Sequence, residues 1–153
     1  MASAGAKAIV YTPYFTEPQS DRGLAHVRQI REALAAAADG TPQAAELNRM
    51  AADADAALDT DARLASAIQR AGNVLLASRY ADTGAPAPLP PYVRRSALPD
   101  PGAYATPARS AQHPIAVLGT VAAGVGHLHA PADPDGRVRQ VPLLLHDDSA
   151  GIP

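Results

Sequence analysis

Apolar positions fall into two spacings along the chain. The run AKAIVYTPYF (6–15) sets Ile9, Val10 and Tyr11 side by side ahead of Pro13, the pattern of a buried strand that the proline bends or ends. A turn, EPQSD, follows. Leu24, Val27, Ile30 and Leu34 then recur at helical spacing to about residue 38, with Ser20 placed as N-cap and Asp39-Gly40 as the stop. Thr41-Pro42 opens a second helix, threonine as cap and proline at the first helical position, with Leu47, Met50, Ala54 and Leu58 as its apolar stripe. Asp61 falls on the continuation of that stripe, so a break is expected, with Asp59 or Thr60 capping a third helix. Leu64, Ile68 and Ala71 would line that helix's inner face, and Gly72 stands where a C-terminal cap belongs. NVLLAS (73–78) has the continuous apolar character of a fully buried strand.

The second half is more broken. Residues 83–107 hold seven of the 15 prolines, which excludes a regular helix or a central strand and leaves a long excursion with room for one short strand at 92–97. IAVLGTVAAG (115–124) suits a short helix. VGHLHA (125–130) and RVRQVPLLL (137–145) read as two strands joined by a turn. The order predicts one domain over 1–153 of α/β (or α+β) class, a mixed sheet packed with helices and closed by a C-terminal β-hairpin.

Composition narrows the chemistry. Apolar residues make up 47%, but alanine supplies 36 of them, with no tryptophan and one phenylalanine, so the core must come mainly from Leu, Ile, Val and Ala. Thirteen basic and 15 acidic side chains leave a net charge of -2 without a like-charged block, which argues against a nucleic-acid partner. With no cysteine there is no disulfide, no Cys-ligated zinc and no thiol nucleophile. The longest apolar stretch, 114–126, has 13 residues and four glycines and prolines, short of the roughly 20 a span needs. MASAGAK lacks the charged-then-apolar order of a signal peptide, so the chain as given is expected to be soluble.

The stretch DPDGRVR (133–139) concentrates charge. As an EF-hand loop with Gly136 at position 6, Asp133 and Asp135 take positions 3 and 5, but Pro131 and Pro142 fall on the demanding positions 1 and 12. As a pair of catalytic acids, the two carboxylates would be held ionised by the arginines beside them. Asp135-Gly136 between β-prone runs fits a turn better, with Arg139 placed to pair back onto Asp133. His127-Leu128-His129 has a spacing that metal sites use. A rival reading is therefore a small metal-dependent α/β hydrolase using His127, His129 and Asp133, which would need a further ligand such as His113 or His146. GTVAAGVG (119–126) lacks the following Lys-Ser/Thr of a phosphate loop, and Arg94-Arg95 is a solvated pair or an anion contact.

Three segments, in order, resemble one family. AGAKAIVYTPYFTEP (4–18), DARLASAIQRAGNVLLA (61–77) and DPDGRVRQVPLLL (133–145) are similar to the strand and Phe-x-Glu-Pro turn, the Asp-led helix and strand, and the Asp-x-Asp-Gly-x-x-Arg-x-x-Pro-Leu hairpin of CHASE2 sensor domains. Where that family has an aspartate after the first of these strands, this chain carries Thr12. The resemblance implies the middle part of a larger extracytoplasmic (periplasmic) sensor domain of a bacterial membrane receptor. Membrane spans would lie elsewhere in the parent protein, and its output would be a histidine kinase, as in two-component systems, a Ser/Thr kinase, or a nucleotide or diguanylate cyclase. It implies a non-catalytic domain without cofactor, answering an unidentified small-molecule or protein signal, with room for a homodimer. It transfers no ligand-binding residue. Asp133, Asp135, Gly136 and Arg139 match the hairpin motif, where a structural role is expected.

Overall fold

The computed structural model describes residues 4–19, 21–37, 41–98 and 105–147. The elements are β1 (Ile9–Val10), α1 (Arg22–Ala36), α2 (Pro42–Leu58), α3 (Thr60–Ala71), β2 (Val74–Ala81), α4 (Pro91–Arg94), β3 (Thr106–Ala108), β4 (Ser110–Gln112), α5 (Ala116–Gly119), β5 (Gly124–His127) and β6 (Leu145–Asp147). Helices and strands of mixed direction make an α/β fold, the class expected.

The most apolar strand sits at the centre. β1 pairs parallel with the start of β2 (Ile9 with Val74, Val10 with Leu75). β5 also runs parallel to β2, from Leu75 opposite Gly124 to Ser78 opposite His127. β4 pairs antiparallel with the far end, from Arg79 opposite Gln112 to Ala81 opposite Ser110. Parallel neighbours require helical crossovers, which α1–α3 and α4–α5 supply.

Local chemistry accounts for the helix limits. The Asp21 carboxylate accepts from the Gly23 amide at 2.7 Å and starts α1; Ser20, Asp39 and Gly40 lie outside the described residues. Thr41 accepts from the Ala44 amide at 3.3 Å, with Pro42 at the first position of α2. The expected break before α3 is present, and Asp59 caps that helix by accepting from the Ala62 amide at 2.9 Å. Asp61 is spent on the break, accepting from the Gln19 amide at 2.8 Å. Gly72 ends α3 at φ 70°, a left-handed conformation open to glycine at little cost.

Ala65 and Ile68 of α3 meet Val74 and Leu76 of β2, Leu118 of α5 and Ala122 in the main core, with Ile9, Phe15, Leu64 and Ala71 partly buried around them. A second cluster joins Leu89, Val93 and Val125, with Tyr92 against it.

Several expectations are corrected. The stripe assigned to α2 is not buried: Leu47 and Met50 are 51% and 56% exposed, and no residue of α2 is buried. The α1–α2 seam is held instead by Arg28 with Asp55 and Asp59, and by Arg31 with Asp55. The short strand proposed at 92–97 is the single-turn helix α4, because Pro91 sets a helical φ at its first position. The excursion is anchored there, with Leu89 and Val93 buried and the Tyr92 hydroxyl donating to the Pro114 carbonyl at 2.5 Å. It also carries β3. The helix expected over 115–124 stops at Gly119. The C-terminal hairpin is overturned: its turn forms, but 137–144 is not a strand. β5 pairs with β2, and β6 pairs parallel with β3, Thr106 opposite Leu145. Val125 is buried in the sheet, whereas Val138, Val141 and Leu143 are 52%, 58% and 89% exposed, and Pro142 has no amide to offer a ladder.

Candidate functional site

On β2 the side chains of Val74, Leu76, Ser78 and Tyr80 share one face, since strand positions alternate. The first two belong to the core. The face turns polar as the strand runs out, and there it meets the end of β5, whose His127 lies opposite Ser78. His113, just past β4, reaches the same place. Its Nδ1 is 2.9 Å from the Ser78 hydroxyl, and its ring stands edge-on to Tyr80 with centroids 6.0 Å apart. The His127 ring stands edge-on to Tyr80 as well, at 6.2 Å, so the tyrosine lies between two imidazoles. His129 completes the group, its Nε2 3.6 Å from Asp82.

The hydrogen bonds around His127 select one tautomer. Its Nδ1 accepts from the His129 amide at 3.3 Å, which leaves the proton on Nε2, facing the Leu143 carbonyl at 3.4 Å. Protonating Nδ1 would set one N–H against another. Burial lowers the His127 pKa from the ordinary histidine value, partly opposed by the Leu143 carbonyl and reinforced by His129. The ring is therefore held neutral, a hydrogen-bonding group with an aromatic edge. Ser78 is 1% exposed, so its hydroxyl is a buried group satisfied by His113 and not an accessible nucleophile. The cluster lies at the C-terminal ends of two parallel strands, where open α/β sheets bind their ligands.

The other sequence candidates fall elsewhere. In the 133–137 turn the Asp133 amide donates to the Arg137 carbonyl at 2.9 Å and the Gly136 amide to the Asp133 carbonyl at 2.7 Å, with Gly136 at φ 78°. Arg139 donates to Asp133 at 2.6 Å and grips both oxygens of Asp135 at 3.0 and 2.7 Å. The Arg139 guanidinium, with the Arg137 amide, holds the Asp135 carboxyl below its usual range, so it is ionised and not a proton donor at neutral pH. Half of each of these side chains faces solvent. His127 and His129 are joined through backbone and ring, and among the described residues no three His, Asp or Glu side chains are grouped to hold a metal. The set His127, His129 and Asp133 is thus not brought together as a metal centre. Arg95 is not a free anion contact, since it donates to the Gly119 carbonyl at 3.1 Å and to that of Ala122, holding the turn between α5 and β5.

Sequence reasoning missed Ser78, Tyr80 and Asp82. A signal for them exists: polar residues at every second position as the apolar run 74–77 ends, the period of one strand face.

Among the described residues no helix is long and apolar enough to cross a membrane. No curated protein and no solved structure matches the chain. One family model does match, over residues 1–153: that of the CHASE2 domain.

Proposed function

Because the chain belongs to the CHASE2 domain family, a family of extracellular sensor domains, we propose that it is the periplasmic signal-sensing domain of a bacterial transmembrane receptor. The output of that receptor is a histidine kinase, a Ser/Thr kinase, or a nucleotide or diguanylate cyclase. The family match over 1–153 carries the reading. We read residues 1–153 as one sensing unit within a larger domain and assign it no reaction of its own.

The face formed by Tyr80, His113, His127 and His129 is where a signal would make contact. It offers imidazole rings, that of His127 held neutral by burial, and the aromatic edge of Tyr80. The 133–139 turn serves the fold: its two carboxylates are consumed by Arg139, and its glycine supplies the positive φ.

Topology is the direct test. Leu143 is 89% exposed, and this chain has no cysteine. In the parent polypeptide freed of other cysteines, Leu143→Cys should react with a membrane-impermeant maleimide on intact spheroplasts. Labelling only after lysis would place the domain in the cytoplasm and overturn the reading.

A further inference from the structure

One buried polar atom beside the candidate site has no partner. His129 Nε2 is enclosed, makes no hydrogen bond, and lies 3.6 Å from an oxygen of Asp82. Buried polar side-chain atoms are in large majority hydrogen-bonded, so an exception needs a reason. The His129 side chain is 13% exposed, whereas that of Asp82, just past β2, is 66% exposed and has room to turn towards it.

The two rings of the His-x-His pair differ. His127 has both nitrogens engaged: Nδ1 accepts from the His129 amide, and Nε2 faces the Leu143 carbonyl. A proton on its Nδ1 would break the first of these contacts. At His129 a proton removes a defect instead. In the neutral ring, Nε2 carries either a lone pair turned on a carboxylate or an N–H too distant to bond. In the imidazolium it is an N–H bearing positive charge, for which a carboxylate is the strongest acceptor. Asp82 from the end of β2 and His127 from β5 face the ring, with Tyr80 and His113 beyond His127. Arg79 points to the other face of β2. A charge on His129 opposes one on His127, which burial already holds neutral. We propose that the ligand of this site is the proton: His129 takes it from solvent, closes on Asp82, and latches the chain leaving β5 to the end of β2 in acid, leaving the two untied at neutral pH. Histidine suits such a latch because it changes charge between about pH 8 and pH 5. The inference deepens the sensor reading, on which it rests for its role, by naming acidity as the stimulus.

The test follows the 153-residue chain, with its histidine rings nitrogen-labelled, by NMR between about pH 8 and pH 5. A slowly exchanging His129 Nε2–H signal should appear as the pH falls. It should be missing from Asp82→Asn, a near-isosteric change at an exposed position that spares the fold. The backbone amides of 128–130, corrected for intrinsic exchange, should exchange about five-fold more slowly at the acid end, the upper range for a part-exposed ion pair. Asp82→Asn and His129→Gln should each abolish the slowing, whereas His26→Gln, at an exposed position of α1, should keep it. A His129 ring still neutral at about pH 5 overturns the proposal, and so does a slowing that survives Asp82→Asn. If His129→Gln fails to fold, Asp82→Asn decides. Spheroplast labelling reads where the domain lies and these titrations read the latch, so either can fail without the other.

Discussion

Replacing Gly119 with alanine would put a methyl carbon 2.4 Å from both Cδ2 and Cε2 of Tyr92, a separation carbon atoms do not tolerate. The ring is not free to step aside. Its hydroxyl donates to the Pro114 carbonyl at 2.5 Å, and its neighbours Leu89, Val93 and Val125 form a buried cluster. Either the ring stays and α5 shifts, or the ring turns and gives up a hydrogen bond whose net value is about 1 kcal/mol. Inserting a methyl group into a packed site costs roughly 1–3 kcal/mol. Alanine in a helix returns about 0.5–1 kcal/mol relative to glycine. The expected net effect of Gly119→Ala is therefore a loss of about 1–2 kcal/mol. Urea unfolding followed by far-UV circular dichroism would show it as a lower midpoint at unchanged slope. A second arm isolates the cause: in a Tyr92→Leu background the clash is gone, and Gly119→Ala should be neutral or stabilising. Gly119→Ala as stable as the parent, or an equal loss in both backgrounds, would refute this account of how α4 is seated on α5.

Three further outcomes can be checked on the same protein. Leu118→Ala, at a fully buried position in the main core, should cost about 2–5 kcal/mol in urea melts, and a cost under 1 would show that the site collapses or is less packed. Gly136→Val forces a β-branched residue to φ 78° and should cost about 1–3 kcal/mol, whereas Asp133→Asn weakens one exposed ion pair and should cost less than about 1; the reverse order would return the two carboxylates to consideration as a site. The His127 pKa is lowered in the folded state by burial, so the unfolded chain binds the proton more readily. The stability this contributes is present above the ordinary histidine pKa and falls as the pH drops through it towards the folded value. His127→Gln should flatten the melting temperature between pH 7 and 5, and the wild-type His127 C2 proton should titrate below a free histidine. An ordinary or raised pKa there would contradict the neutral tautomer held by the His129 amide.

Patterns that depend on near neighbours were legible in the sequence. Thr41-Pro42, Asp59 and Gly72 act within one helical turn of themselves, through one side-chain oxygen, a fixed φ or a left-handed cap, so nothing distant could change their meaning. NVLLAS was recognisable because five apolar or small residues in a row suit only a strand covered on both sides, and β2 became the centre of the sheet. The turn at 133–137 was readable for the same local reason, and Arg139 does reach Asp133. Choices among distant partners were not. Two β-prone runs joined by a tight turn predict a hairpin, yet β5 gains more beside the apolar β2, and the second run contains Pro142 and never forms a ladder. The stripe on α2 promised burial, but periodicity states only that a helix has an apolar side and not what covers it. The Ser78, Tyr80, His113 and His127 cluster draws on three segments as much as 49 residues apart, from Ser78 to His127, and only the register of β5 on β2 and the course of the chain past β4 bring them together. Backbone conformation over a few residues is set by covalent geometry and hydrogen bonds within reach. Which faces meet is set by competition for buried area across the whole chain, and that competition has no local signature.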